Sequence, residues 1–174
     1  MKTPGIGNRK RKFQTLVGKT KLKREMFVNE LNECLKNVKR FAGSYAVGEL
    51  RDIELKFFPT FLVVKLDKRD SSRSHWIAFA IYVNNVFICN SFGDVKPDNK
   101  LPVEFINFMN LISKNRELYI TKQLQPDISD KCGGYCVLFI KQMAETNSFC
   151  QFISLFTLDK MQNDQIVSFL TKSY

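Results

Sequence analysis

The chain has 174 residues, 44% of them hydrophobic and 25% charged, which fits one domain able to bury a core without disulfide or metal staples. Five cysteines are an odd set, no apolar N-terminal region precedes a cleavage site, and no run reaches the roughly eighteen apolar residues of a membrane span; the expectation is an intracellular, reduced protein with no membrane segment. The formal charge of +10 is localised: nine of the 27 basic residues and none of the 17 acidic ones lie in Met1–Arg24, so the other 150 residues carry eighteen basic against seventeen acidic side chains.

Residues 1–24 hold Arg9, Lys10, Arg11 and Lys12 in one run, with three glycines, a proline and no helical apolar period. They read as a disordered basic arm, suited to non-specific DNA contact or to nuclear import. Residues 25–174 form the expected folded domain. There Phe27, Leu31, Leu35 and Val38 recur at spacings of three and four, the period of an amphipathic helix, and Gly43 after Phe41 and Ala42 suggests its end. Phe61–Leu66, apolar and rich in branched residues after Pro59, suits a buried strand.

Trp76–Val83 and Val86–Cys89 read as strands joined by a tight turn at Asn84-Asn85, since asparagine tolerates the positive φ of such turns. Leu101–Ser113 returns to helical spacing through Val103, Ile106, Met109, Leu111 and Ile112. Leu118–Thr121 looks like a short strand and Gln125–Lys131 like a loop. Val137, Ile140, Met143 and Ala144 then follow Cys132 at helical intervals, with one or two further helices from Phe149 onward.

Chemistry concentrates at few positions. His75, the only histidine, opens the hairpin, and Cys132-Gly133-Gly134 opens an apolar helix. A helix N-terminus favours a thiolate through its unpaired N–H groups and the positive end of its dipole, and an imidazole remote in sequence but adjacent in space is the partner a cysteine nucleophile needs. Gln125, seven residues before Cys132, can fold back so that its side-chain amide joins the Cys132 backbone N–H in stabilising a tetrahedral oxyanion.

His75-Trp76 opening an apolar strand, Asn90-Ser91-Phe92-Gly93 closing the next, then Gln125, six residues and Cys132-Gly133 resemble the adenovirus protease (adenain) family and its relatives in large DNA viruses and virus-like Polinton/Maverick-type transposons. The resemblance runs loosely from Phe27 to the C-terminus, where Ser168-Phe169-Leu170 is similar to part of the family's final helix. It implies a papain-related α+β fold shared with ubiquitin-like-modifier proteases: a central mixed β-sheet flanked by helices, with the nucleophile at a helix N-terminus. It also implies peptide-bond hydrolysis through an acyl-enzyme, viral capsid and core precursors as substrates, and a place in the virion and host nucleus. His75 matches the family's base, Cys132 its nucleophile and Gln125 its oxyanion glutamine.

The third triad position falls on Asn90, where adenoviral members carry an acidic residue. Asparagine can orient an imidazole but adds no charge. A turn at Asn84-Asn85 would set Phe79 opposite Asn90 and His75 opposite Asp94, leaving His75 about 13 Å from Asn90 along the strand. Either a bulge shifts the register or Asp94 orients the base, and both remain open on sequence.

Trp76 is either cleft lining or core, and Phe92 is expected in the core. Cys136, one turn after Cys132, does not make a metal site with one histidine and scattered cysteines. Cys34 and Cys150 are expected as buried hydrophobes and Cys89 on the sheet face opposite Asn90. No cofactor is expected for the chemistry. The family's activators are DNA and a viral peptide, and covalent attachment of a peptide is not expected here, because no cysteine lies between Cys89 and Cys132. A monomer is the default. Two other functions fit the same residues: removal of ubiquitin-like modifiers, and an inactive basic nucleic-acid-binding virion protein.

Overall fold

The computed structural model describes residues 28–66, 75–93 and 101–171. The basic arm with Arg9–Lys12, Phe27 and Asp94 lie outside the described residues. The fold is α+β: a mixed five-stranded sheet in the order β1(Phe41–Ala46), β2(Thr60–Leu66), β3(His75–Ile81), β4(Asn85–Cys89), β5(Glu117–Ile120), with helices on both faces. The two outer pairs are parallel and the two inner pairs antiparallel. Among the described residues no helix is long and apolar enough to cross a membrane.

Strand β3 explains the layering. After His75 it is apolar throughout, Trp76–Ile81, because alternate residues enter two cores. Trp76, Ala78 and Ala80 face a cluster with Leu31 and Leu35 of α1(Val28–Leu35), Tyr135, Cys136 and Phe139 of α3(Cys132–Thr146), Phe152 of α4(Phe149–Ile153) and Val167 of α5(Lys160–Leu170). Ile77, Phe79 and Ile81 face the other cluster, which Phe105, Phe108 and Ile112 of α2(Val103–Ser113) cover together with Leu50 of a short 3₁₀ segment, Val47–Asp52. Each fully buried large side chain contributes about 1.5–3 kcal/mol, so α3, buried nearly all round, is a central beam of the fold. Asn147 in left-handed conformation (φ 52°) ends it, its N–H bonded to Met143 O at 3.0 Å.

Three expectations need correction. The first helix ends at Leu35, and Phe41–Ala46 is a strand: Arg40 (φ 68°) reverses the chain, and Gly43 (φ 136°) sits at a register shift in β1 instead of ending a helix. In α2 the core face is Phe105, Phe108 and Ile112, while Val103, Ile106 and Leu111 of the expected stripe are exposed. The hairpin turn is Val83-Asn84, closed by the Tyr82 N–H donating to Asn85 O at 2.8 Å, and the ladder pairs Ala78 with Cys89 and Ile81 with Val86.

Candidate active site

The displaced turn decides the site. Continued past Ala78–Cys89, the observed register sets Asn90 opposite Ile77, so His75 is its diagonal neighbour on the same face, a separation of about 7–8 Å between Cα atoms that side chains bridge. No bulge is needed. His75 Nε2 lies 2.7 Å from Asn90 Oδ1.

The hydrogen bonds also assign the protons. Phe92 N–H, which can only donate, lies 3.3 Å from the same Asn90 atom, identifying it as the carbonyl oxygen. An amide oxygen only accepts, so Nε2 carries the hydrogen, and in the neutral ring the lone pair is on Nδ1, which is buried. Asn90 is itself pinned: Thr121 Oγ1 accepts from its N–H at 3.0 Å and donates to its carbonyl at 2.7 Å, and the Gly93 N–H closes the following turn on that carbonyl at 2.8 Å. Gly93 adopts φ 92°, and a Cβ there would lie 3.1 Å from the Gln123 backbone nitrogen, so the turn requires glycine. Phe92, half-buried, packs on the imidazole at 5.0 Å between ring centroids.

Cys132 is the first residue of α3 and only 3% exposed. Lys131 before it provides no side-chain cap to the helix N-terminus, and the first turn of a helix favours a thiolate. Trp76 and Cys89, the sequence neighbours of His75 and Asn90, belong to the same buried cluster as Cys132. Trp76 is core, fully buried. Burial pushes the Cys89 thiol up and charge on Cys132 adds to it; burial likewise pushes Cys136 up, followed by Cys89 and Cys132. Those two thiols are protonated packing groups. Cys34 is half-buried, whereas Cys150 is exposed on α4 instead of buried as expected, because the helix turns Phe152 inward and Cys150 falls on its outer face.

Gln125 is fully buried in the loop before α3. Its Nε2 donates to Ser129 O at 2.9 Å, and its Oε1 accepts from Ser91 Oγ at 2.6 Å. A backbone carbonyl only accepts, which fixes which end of the amide is which. The Leu124 and Gln125 N–H groups both donate to Ser91 O, at 2.9 and 3.0 Å. From the other side, Leu124 O accepts from buried Asn163 at 3.0 Å and from Tyr135 Oη at 3.3 Å, tying this loop to α5 and α3. Ser91, Thr121, Ser129 and Asn163 were not singled out from sequence as site residues; a short polar side chain that acts only through another residue leaves no spacing signal.

No family model matches the chain, and no curated protein matches it. Among solved structures the chain is similar to a selenomethionine form of the ASFV protease, with 17% identity and a TM-score of 0.43 over 62% of this chain, which spans 43% of that protein's length. It is also similar to the central domain of an uncharacterized Legionella pneumophila protein, with 11% identity and a TM-score of 0.49 over 87% of this chain and 96% of that one. A third likeness is to ChlaDub1 from Chlamydia trachomatis, with 12% identity and a TM-score of 0.44 over 85% of this chain and 79% of that one.

Proposed function

We propose that this chain is a cysteine endopeptidase that cleaves viral capsid and core precursor proteins during virion maturation, using Cys132 as nucleophile, His75 as base, Asn90 as its orienting partner and Gln125 in the oxyanion hole. The observation that carries the reading is the His75 Nε2 to Asn90 Oδ1 contact at 2.7 Å, because it places the ring hydrogen on Nε2 and leaves the basic lone pair on buried Nδ1, the nitrogen that a thiol's proton needs. The precursor substrates come from the adenain-family resemblance of the same residues.

In the mechanism, Nδ1 takes the Cys132 proton and the thiolate attacks the scissile carbonyl carbon. The carbonyl π electrons move to oxygen, where the Cys132 backbone N–H and the second Gln125 amide N–H receive the charge. Collapse of the tetrahedral intermediate breaks the C–N bond, and the leaving amine takes the proton from Nδ1–H. Water, deprotonated by Nδ1, then attacks the thioester and releases the acid and the thiol. Asn90 holds the ring throughout without adding negative charge.

The basic arm, residues 1–24, supplies a non-specific DNA contact through Arg9, Lys10, Arg11 and Lys12, suited to acting on precursors packed with DNA inside the virion or host nucleus.

The test is hydrolysis of a glycine-rich fluorogenic peptide library by wild type, Cys132→Ala and His75→Ala. Turnover lost in both variants supports the peptidase. Hydrolysis of a folded modifier fusion without any hydrolysis of extended peptides would instead assign removal of ubiquitin-like modifiers, and no turnover of either substrate class, with or without DNA, would count for an inactive virion protein.

A further inference from the structure

Asn90 and Ser91 are consecutive, yet one reaches the base and the other reaches the loop of the oxyanion donor. Resting on the peptidase reading above, we propose that Ser91 is a positioning residue for catalysis: Ser129 O sets which end of the Gln125 amide is which, and the Ser91 hydroxyl pins the carbonyl end so that the remaining N–H is held toward the developing oxyanion.

The geometry supports this in three ways. Ser91 and Gln125 are 1% and 0% exposed, so water does not replace a lost donor at Oε1. The bond from Ser91 Oγ to Gln125 Oε1, at 2.6 Å, is the side-chain contact that holds the amide's carbonyl end, while Ser129 O takes one N–H of the other end at 2.9 Å. The remaining N–H is then the one that serves the oxyanion. The Ser91 main chain anchors the same loop, since its carbonyl accepts from both Leu124 and Gln125 N–H groups. That backbone anchor survives any side-chain substitution, so replacing Ser91 isolates the hydroxyl.

Without the hydroxyl, the Oε1 end has no donor and the amide, tethered only through its N–H to Ser129 O, can swing about its last torsion. An N–H swung off its line stabilises the oxyanion less than one held on it. The effect belongs to the transition state: substrate affinity and thiolate formation do not depend on it.

The experiment compares full-length wild type, Ser91→Ala, Ser91→Thr, Gln125→Ala and the Ser91→Ala/Gln125→Ala double variant. Expected for Ser91→Ala is a fall in kcat of about 10- to 100-fold, somewhat less than loss of the donor itself, with KM within about twofold. A peptide aldehyde, which forms a tetrahedral adduct, should bind more weakly in proportion. Alkylation of Cys132 by iodoacetamide develops no oxyanion and should keep its rate. Ser91→Thr, which retains the hydroxyl, should recover most of the loss, and the double variant should be no worse than Gln125→Ala alone.

Wild-type kcat in Ser91→Ala while Gln125→Ala is impaired would overturn the proposal, as would alkylation falling in step with kcat. Activity unaffected by Gln125→Ala would instead remove Gln125 from the oxyanion hole and the proposal with it. Side-chain amide resonances of Gln125 in isotope-labelled protein read the orientation without turnover. If Ser91→Ala leaves them unchanged the proposal fails whatever the enzyme does, and if they average while wild type hydrolyses nothing, the positioning stands and the peptidase reading fails.

Discussion

His75 and Asn90 meet through Nε2 and Oδ1 at 2.7 Å although they are not paired across the hairpin. A two-residue turn at Val83-Asn84 makes them diagonal neighbours, and the acceptor character of Oδ1 determines which ring nitrogen carries the proton. Asn90→Ala should therefore lower kcat/KM by about 10²-fold or more by releasing the ring and its tautomer, with little loss of Tm.

Asn90→Asp retains the acceptor and adds a negative charge beside Nε2. The charge stabilises the imidazolium, so the pH at which activity is lost on the alkaline side should rise relative to wild type. A pH profile of kcat/KM for the two proteins checks this; an unchanged alkaline limb would mean that Asn90 does not act on the base.

The five thiols should separate in a labelling experiment. Native protein treated with iodoacetamide near neutral pH should react at Cys132 and at exposed Cys150, and more slowly at half-buried Cys34, whose thiol burial pushes up. Cys89 and Cys136, buried and pushed further up by that burial, should react only after denaturant is added. Peptide mass mapping reads the order, and His75→Ala should slow Cys132 alone.

Gly134 fixes how closely α5 approaches the nucleophile helix. A Cβ there would lie 2.9 Å from Val167 Cγ1, and Val167 is buried. Gly134→Ala should cost about 1–3 kcal/mol by overpacking, seen as a lower denaturant midpoint. Combining it with Val167→Ala should cost less than the sum of the single changes, because the smaller partner makes room.

DNA binding, if it resides in the arm, should depend on salt. Neutralising four phosphates through Arg9–Lys12 gives a log–log slope of about −3 to −4, and replacing those four residues by alanine should remove that much of the slope while leaving peptide turnover without DNA intact. Fluorescence anisotropy across a salt series measures it; an unaltered slope would place the contact elsewhere.

Periodicity and local chemistry were enough for much of the fold. The continuous apolar run of β3, the helix after Cys132 and the hairpin are legible because each carries its own pattern of burial or turn residues, and His75, Gln125 and Cys132 stand out because their residue types suit a thiol nucleophile, whereas Asn90 was indicated only by the family resemblance, with Asp94 left open beside it. Strand β1 was not legible: Phe41–Ala46 is an edge strand whose residues are mostly half-buried, so no alternation marks it, and its parallel partner β2 is specified by packing. Cys150 was misjudged for a related reason, since a five-residue helix carries too few turns for a period to show its outer face.

What tertiary structure alone decided is the linkage among the site residues. A turn shifted by one residue moves a whole strand's register by two, and only the assembled sheet selects between Asn84-Asn85 and Val83-Asn84. The same holds for Ser91, whose hydroxyl is ordinary in sequence and meets Gln125 only because the ends of β4 and β5 lie side by side. Sequence determined which side chains could do chemistry, through their intrinsic acid–base and donor properties; long-range packing determined which of them touch, because contacts between residues far apart in the chain leave no local signature.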